Sequence, residues 1–84
     1  MANFNNLVFI SHPIVKGIMA KHRFDNGKVL SVVAGENLYS TSKDGVRAAV
    51  SDPNDVSEFE VMFDGEVEGW QTREDINEIF KANA

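Results

Sequence analysis

Between positions 56 and 63 the chain alternates without a break, placing Phe59, Val61 and Phe63 on one side of an extended strand and Glu58, Glu60 and Met62 on the other. The aromatic side is the expected core face. Residues 29–34 form a second strong run, apolar on both faces except at Ser31, as expected of a central strand. The run before it, ending at Phe24, is amphipathic. Asn26-Gly27 lies between the two and supplies the positive φ values of a type I′ hairpin turn. A two-residue loop there pairs Phe24 with Val29, His22 with Ser31 and Ala20 with Val33 on one face. The other face then pairs Arg23 with Leu30, Lys21 with Val32, and Met19 with Ala34.

Two further Gly dipeptides, Asp44-Gly45 and Asp64-Gly65, predict two more hairpins. In the middle one, Gly35-Glu36-Asn37 turns the chain into a strand over 38–41, and Asp44-Gly45 returns it through 46–50, a stretch that fits strand or helix. Pro53 marks the loop that follows. At Asp64-Gly65 a two-residue loop would set Glu66 and Glu68 opposite Phe63 and Val61. A three-residue loop with a bulge sets Val67 opposite Phe63 instead, and is expected because it buries no unpaired carboxylate. Thr72 is a suitable N-cap, Glu74 and Asp75 suit the first helical turn, and Ile76, Ile79 and Phe80 follow as one apolar stripe. Trp70 is expected to pack beside that stripe. Residues 6–11 read as a further strand, ended or held at an edge by His12-Pro13. The fold class is α+β: an antiparallel β-meander of about four to six strands with one short C-terminal α-helix packed on one face.

Length and composition narrow this picture. Eighty-four residues make a single domain, 1–84, that buries roughly 60 to 65 % of its unfolded surface. With 43 % hydrophobic and 25 % charged residues the composition is that of a folded globular chain. The absence of cysteine excludes disulfides, thiolate metal sites and thiol catalysis. No apolar stretch approaches the ~18 residues of a membrane span, and the first six residues lack the basic region of a secretory signal. The expected compartment is the cytoplasm.

The net charge of −5 is unevenly distributed. Residues 1–50 carry six basic and three acidic side chains, whereas residues 51–84 carry ten acidic and two basic ones. An acidic face of this kind steers basic partners within a Debye length of ~8 to 10 Å.

Catalytic chemistry has little to stand on. His12 and His22 show no metal-binding spacing, and no Gly-rich phosphate loop occurs. His22 facing Ser31 is the one base-and-nucleophile pair in the expected register, with no carboxylate to orient it. The acids Glu58, Glu60, Asp64, Glu66 and Glu68 lack the spacing of a calcium loop and, in so short a chain, a glycosidase cleft. They read as a solvent-facing charged row or as a protein-binding ridge, and the ridge is the candidate partner-binding surface. Lys16, Lys21, Arg23 and Lys28 on the first hairpin are the alternative, a nucleic-acid-binding surface with Phe24 or Phe9 for stacking, against which the net charge argues. No cofactor is expected.

The segments Phe24-Asp25-Asn26-Gly27, Ser31-Val32-Val33-Ala34-Gly35, Tyr39, Phe59-Glu60-Val61 and Gly69-Trp70-Gln71-Thr72 ahead of a short helix resemble a pattern in small uncharacterised bacteriophage proteins. The resemblance spans residues 22–80 and departs from the pattern over 42–56. It implies phage origin and fold and carries no catalytic residues. The expectation that follows is a non-catalytic phage-type accessory protein in the host cytoplasm. It binds a protein partner, host-encoded, through a sheet edge or the acidic strand, with homodimerisation by the same edge as a further outcome.

Overall fold

The computed structural model describes residues 2–43 and 50–83. Strands β1 (Ile10–Ser11), β2 (Gly17–Arg23), β3 (Val29–Gly35), β4 (Thr41–Ser42), β5 (Val56–Phe63) and β6 (Glu66–Gln71) are followed by helix α1 (Arg73–Ala82). The strands form one antiparallel sheet in the order β1-β2-β3-β5-β4, with β6 also paired to β5. This is the α+β meander with a C-terminal helix that the patterning predicts. Among the described residues no helix is long and apolar enough to cross a membrane.

One face of the sheet carries the core. Ile18 of β2, Leu30, Val32 and Ala34 of β3, and Phe59 and Val61 of β5 are buried there, against Ile76 and Phe80 of α1 and Phe4 of the N-terminal segment. Phe4, Phe9 and Phe59 form an aromatic triangle with ring centroids 5.2 to 5.9 Å apart. A second group joins Phe24 to Phe80 at 5.3 Å and to Phe63 at 5.8 Å. Burial of a ring as complete as that of Phe59 or Phe80 stabilises the fold by roughly 1.5–3 kcal/mol, and the partly buried Phe9 and Phe63 contribute less. Helix α1 begins in a capping box, with the Asp75 amide donating to Thr72 Oγ1 and the Thr72 amide donating to Asp75 Oδ2.

The two hairpin turns exchange the geometries expected of them. At the first, Phe24 and Lys28 close a three-residue loop, with the Phe24 amide donating to the Lys28 carbonyl at 2.8 Å. Gly27 has φ 89°, while Asn26 is not among the residues of positive φ, so this is a turn followed by a left-handed glycine rather than type I′. The extra residue shifts the register, and His22 pairs with Leu30, Lys21 with Ser31 and Ala20 with Val32. Packing explains the choice. A two-residue loop would put Leu30 and Phe24 on opposite faces, whereas the observed register gathers Phe24, Leu30, Val32 and Ala34 on the core side.

At the other turn Asp64 and Gly65 both have positive φ, 54° and 83°, and form the two-residue type I′ loop. Phe63 pairs with Glu66, Met62 with Val67 and Val61 with Glu68. The expected penalty for Glu66 and Glu68 does not arise, because β6 is an edge strand and residues 66–68 are all exposed. A bulge does occur in β6, at its far end, where the register shifts between the Phe59–Gln71 and Val61–Glu68 pairs.

Three other expectations change. The strand over 6–11 shortens to Ile10–Ser11, because residues 4–6 form a single 3-10 turn that buries Phe4. The Phe4 amide donates to Asn77 Oδ1 of α1 at 2.8 Å and anchors this segment on the helix. The strand expected over 38–41 appears as Thr41–Ser42, paired with β5. The Asp44-Gly45 turn and residues 46–49 of the return run lie outside the described residues. Trp70 does not join the stripe of α1 but stands half exposed against Tyr39.

Candidate functional site

The structure separates the two residues of the one base-and-nucleophile pair. His22 sits on the core face opposite Leu30, its ring 4.8 Å from Phe24 and 4.9 Å from Phe80, while Ser31 lies opposite Lys21 on the other face. The imidazole borders a surface depression of about 330 Å³, together with Asp25 and Asn83. His12 closes a local turn instead, its Nδ1 accepting from the Ile14 and Val15 amides at 3.1 and 3.2 Å. Among the described residues no three His, Asp or Glu side chains cluster as metal ligands do.

The five acids singled out by the sequence do not form one ridge. Residues paired across a sheet share a face, so Glu66 and Glu68 lie on the side of Phe63 and Val61. Glu58 and Glu60 alternate with those core positions and lie on the outer face with Met62. Asp64 occupies the turn, where its carboxylate is 3.5 Å from Lys28 Nζ. That exposed pair is worth at most about 1 kcal/mol, yet it joins the tip of the basic hairpin to the tip of the acidic one. Lys28 Nζ also lies 5.8 Å from the centre of the Phe63 ring. Of the other basic candidates, Lys21 and Arg23 are exposed on the outer face of β2, and Lys16 is exposed just ahead of the strand.

The outer face is therefore a graded surface. Lys21 is followed across the sheet by Ser31 of β3, Met62 of β5 and Val67 of β6. The neighbouring row runs Ile10, Met19, Val33, Glu60. Basic side chains on β2 and acidic ones on β5 are two strand spacings apart, roughly 10 Å. Ile10, Met62 and Val67 are each more than half exposed among them.

One feature of this face has no signal in local sequence patterning. Where β6 bulges, Gly69 and Trp70 together oppose Glu60, and Trp70 takes φ 54°. A bulky residue in that region is a backbone outlier of order 1–3 kcal/mol, held by its surroundings. The holding contacts come from the loop before β4. The Trp70 amide donates to the Tyr39 carbonyl at 3.0 Å, and the Tyr39 amide donates to Glu60 Oε1 at 3.2 Å. The Tyr39 and Trp70 rings lie 5.3 Å apart at 48°. A side chain at position 69 would have its Cβ 2.7 Å from Tyr39 Cβ, so glycine is needed there for the two segments to meet.

No protein-family model matches the chain. No curated protein sequence and no solved structure is significantly similar to it.

Proposed function

We propose that the protein is a non-catalytic accessory protein of bacteriophage type that binds a basic host protein through the outer face of β5, at Glu58 and Glu60. The observation that carries this reading is the side-by-side exposure of Met62 and Val67, a cross-strand pair 52 % and 53 % exposed, on the face that holds both carboxylates. Adjacent exposed apolar side chains with charge at their rim support a surface that a partner covers, where a single exposed one would not. The carboxylates supply long-range attraction and orientation, and the apolar pair supplies the area removed from water. The phage resemblance of the Phe24-Asp25-Asn26-Gly27 and Phe59-Glu60-Val61 words supports a host protein as the partner class.

The nucleic-acid alternative is weakened by position. Lys28 is engaged with Asp64, and Lys21 and Arg23 share their face with Glu58 and Glu60. The test is an affinity capture from host lysate with the wild-type chain and with a Glu58→Lys/Glu60→Lys variant, each checked for folding by circular dichroism. A stoichiometric partner held by the first and lost by the second is the expected result. Equal capture by both removes Glu58 and Glu60 from the interface.

A further inference from the structure

Asn26 is the one asparagine of the chain that precedes a glycine. Both residues lie at the exposed tip of the β2–β3 hairpin, and a side chain at Gly27 would have nothing within 4 Å of its Cβ, so water reaches the pair. The groups of the pair that can react with one another are nevertheless held. Asn26 Oδ1 accepts from the Lys28 amide at 3.0 Å, and Asn26 Nδ2 donates to Asn83 Oδ1 at 3.0 Å. The Gly27 amide donates to the Phe24 carbonyl at 2.9 Å. Asn83, just past the end of α1, is itself fixed by donating from Nδ2 to the Ile79 carbonyl at 2.8 Å.

An asparagine side chain followed by glycine can cyclise, because no Cβ hinders the approach of the glycine nitrogen. The Gly27 nitrogen gives up its proton and bonds to the Asn26 side-chain carbonyl carbon, the bond from that carbon to Nδ2 breaks, and ammonia leaves with the proton. Water then opens the succinimide ring at either carbonyl, leaving aspartate or isoaspartate and one added negative charge. We propose that Asn26 is a site of spontaneous deamidation whose rate is set by the Asn26–Asn83 bond, so that release of the α1 terminus from the hairpin tip starts the reaction. While that bond holds, the Asn26 carboxamide cannot turn toward the Gly27 nitrogen, whose proton is engaged by Phe24. The product does not restore the bond, since a carboxylate at position 26 has no proton to donate to Asn83 and faces the negative end of the α1 dipole. Conversion therefore makes the release permanent.

The test holds the whole chain in mildly alkaline buffer at physiological temperature, beside a peptide spanning residues 22–30 as the unrestrained reference. Trypsin releases residues 24–28 as one fragment, in which mass spectrometry follows aspartate and isoaspartate at position 26 over time. The folded wild type should react at least about tenfold more slowly than the peptide. Asn83→Ala should speed the folded chain by roughly fivefold, the effect of one hydrogen bond on an opening equilibrium. Asn77→Ala removes the bond between α1 and the Phe4 amide but leaves Asn83 in place, and should change the rate by less than about twofold. Urea titration establishes that each variant is folded. Equal rates in the folded wild type and the peptide overturn the proposal, as does an unchanged rate in Asn83→Ala. An acceleration in Asn77→Ala matching that in Asn83→Ala also overturns it, because the rate then follows general loosening of the helix rather than the bond to Asn26.

Discussion

Arg73, the first residue of α1, holds three parts of the molecule with one guanidinium. Its Nη1 and Nη2 donate to the carbonyls of Val56 and Pro53 at 2.8 Å each, and its carbon lies 5.1 Å from the Phe4 ring centre and 5.4 Å from that of Phe59. Half-buried hydrogen bonds from a charged donor and the stacking contacts are lost together in Arg73→Ala, which should destabilise the fold by about 2–3 kcal/mol in urea titration. Arg73→Lys should recover only part of this, because an ammonium cannot span both carbonyls and lie flat on the rings. In the sequence Arg73 is simply a basic residue ahead of Glu74 and Asp75. Its role depends on loop 53–55 returning to the helix, a contact that local patterning does not encode. The same holds at Trp70, whose backbone conformation is set by Tyr39, thirty-one positions earlier.

Among the elements, those governed by local periodicity were readable. The alternation over Val56–Phe63 and the Thr72 cap with its Ile76, Ile79 and Phe80 stripe have the strand and helix they imply. The turns were not, because Asn-Gly and Asp-Gly each suit both a two-residue loop and a longer loop with a left-handed glycine. The core resolves the first case by requiring Leu30 on the side of Phe24, and edge exposure resolves the second by leaving Glu66 and Glu68 in water. The candidate acids were identifiable as residues, but their division between two faces depended on the register that the turn selects. A substitution pair checks the backbone assignment. Asp64→Gly and Asp64→Val both remove the Lys28 pair, so their difference isolates the positive φ at position 64. Asp64→Val should be less stable than Asp64→Gly by about 1–2 kcal/mol in thermal or urea unfolding.

Across the whole molecule the sheet is not self-sufficient. Leu30, Val32, Phe59 and Val61 are each 1 % exposed or less, and their cover is α1 together with the N-terminal segment. A chain ending at Thr72 should therefore lose its cooperative unfolding transition and the chemical-shift dispersion of its amide spectrum, rather than persist as a bare meander. The opposite charges of the two halves meet at the Lys28–Asp64 contact and grade from β2 to β5 across the outer face. A partner docking there encounters both signs within one footprint.

The bond between the Phe4 amide and Asn77 joins positions seventy-three apart, nearly the full span of the chain. Its consequence is one of timing. Hairpins such as β2–β3 close within microseconds, whereas the contact that anchors Phe4 of the aromatic triangle closes a far longer loop, at a higher entropic cost. During synthesis the apolar side of β2 and β3 is complete long before Ile76 and Phe80 exist to shield it. The nascent sheet therefore keeps that apolar side open to water until α1 has emerged from the ribosome.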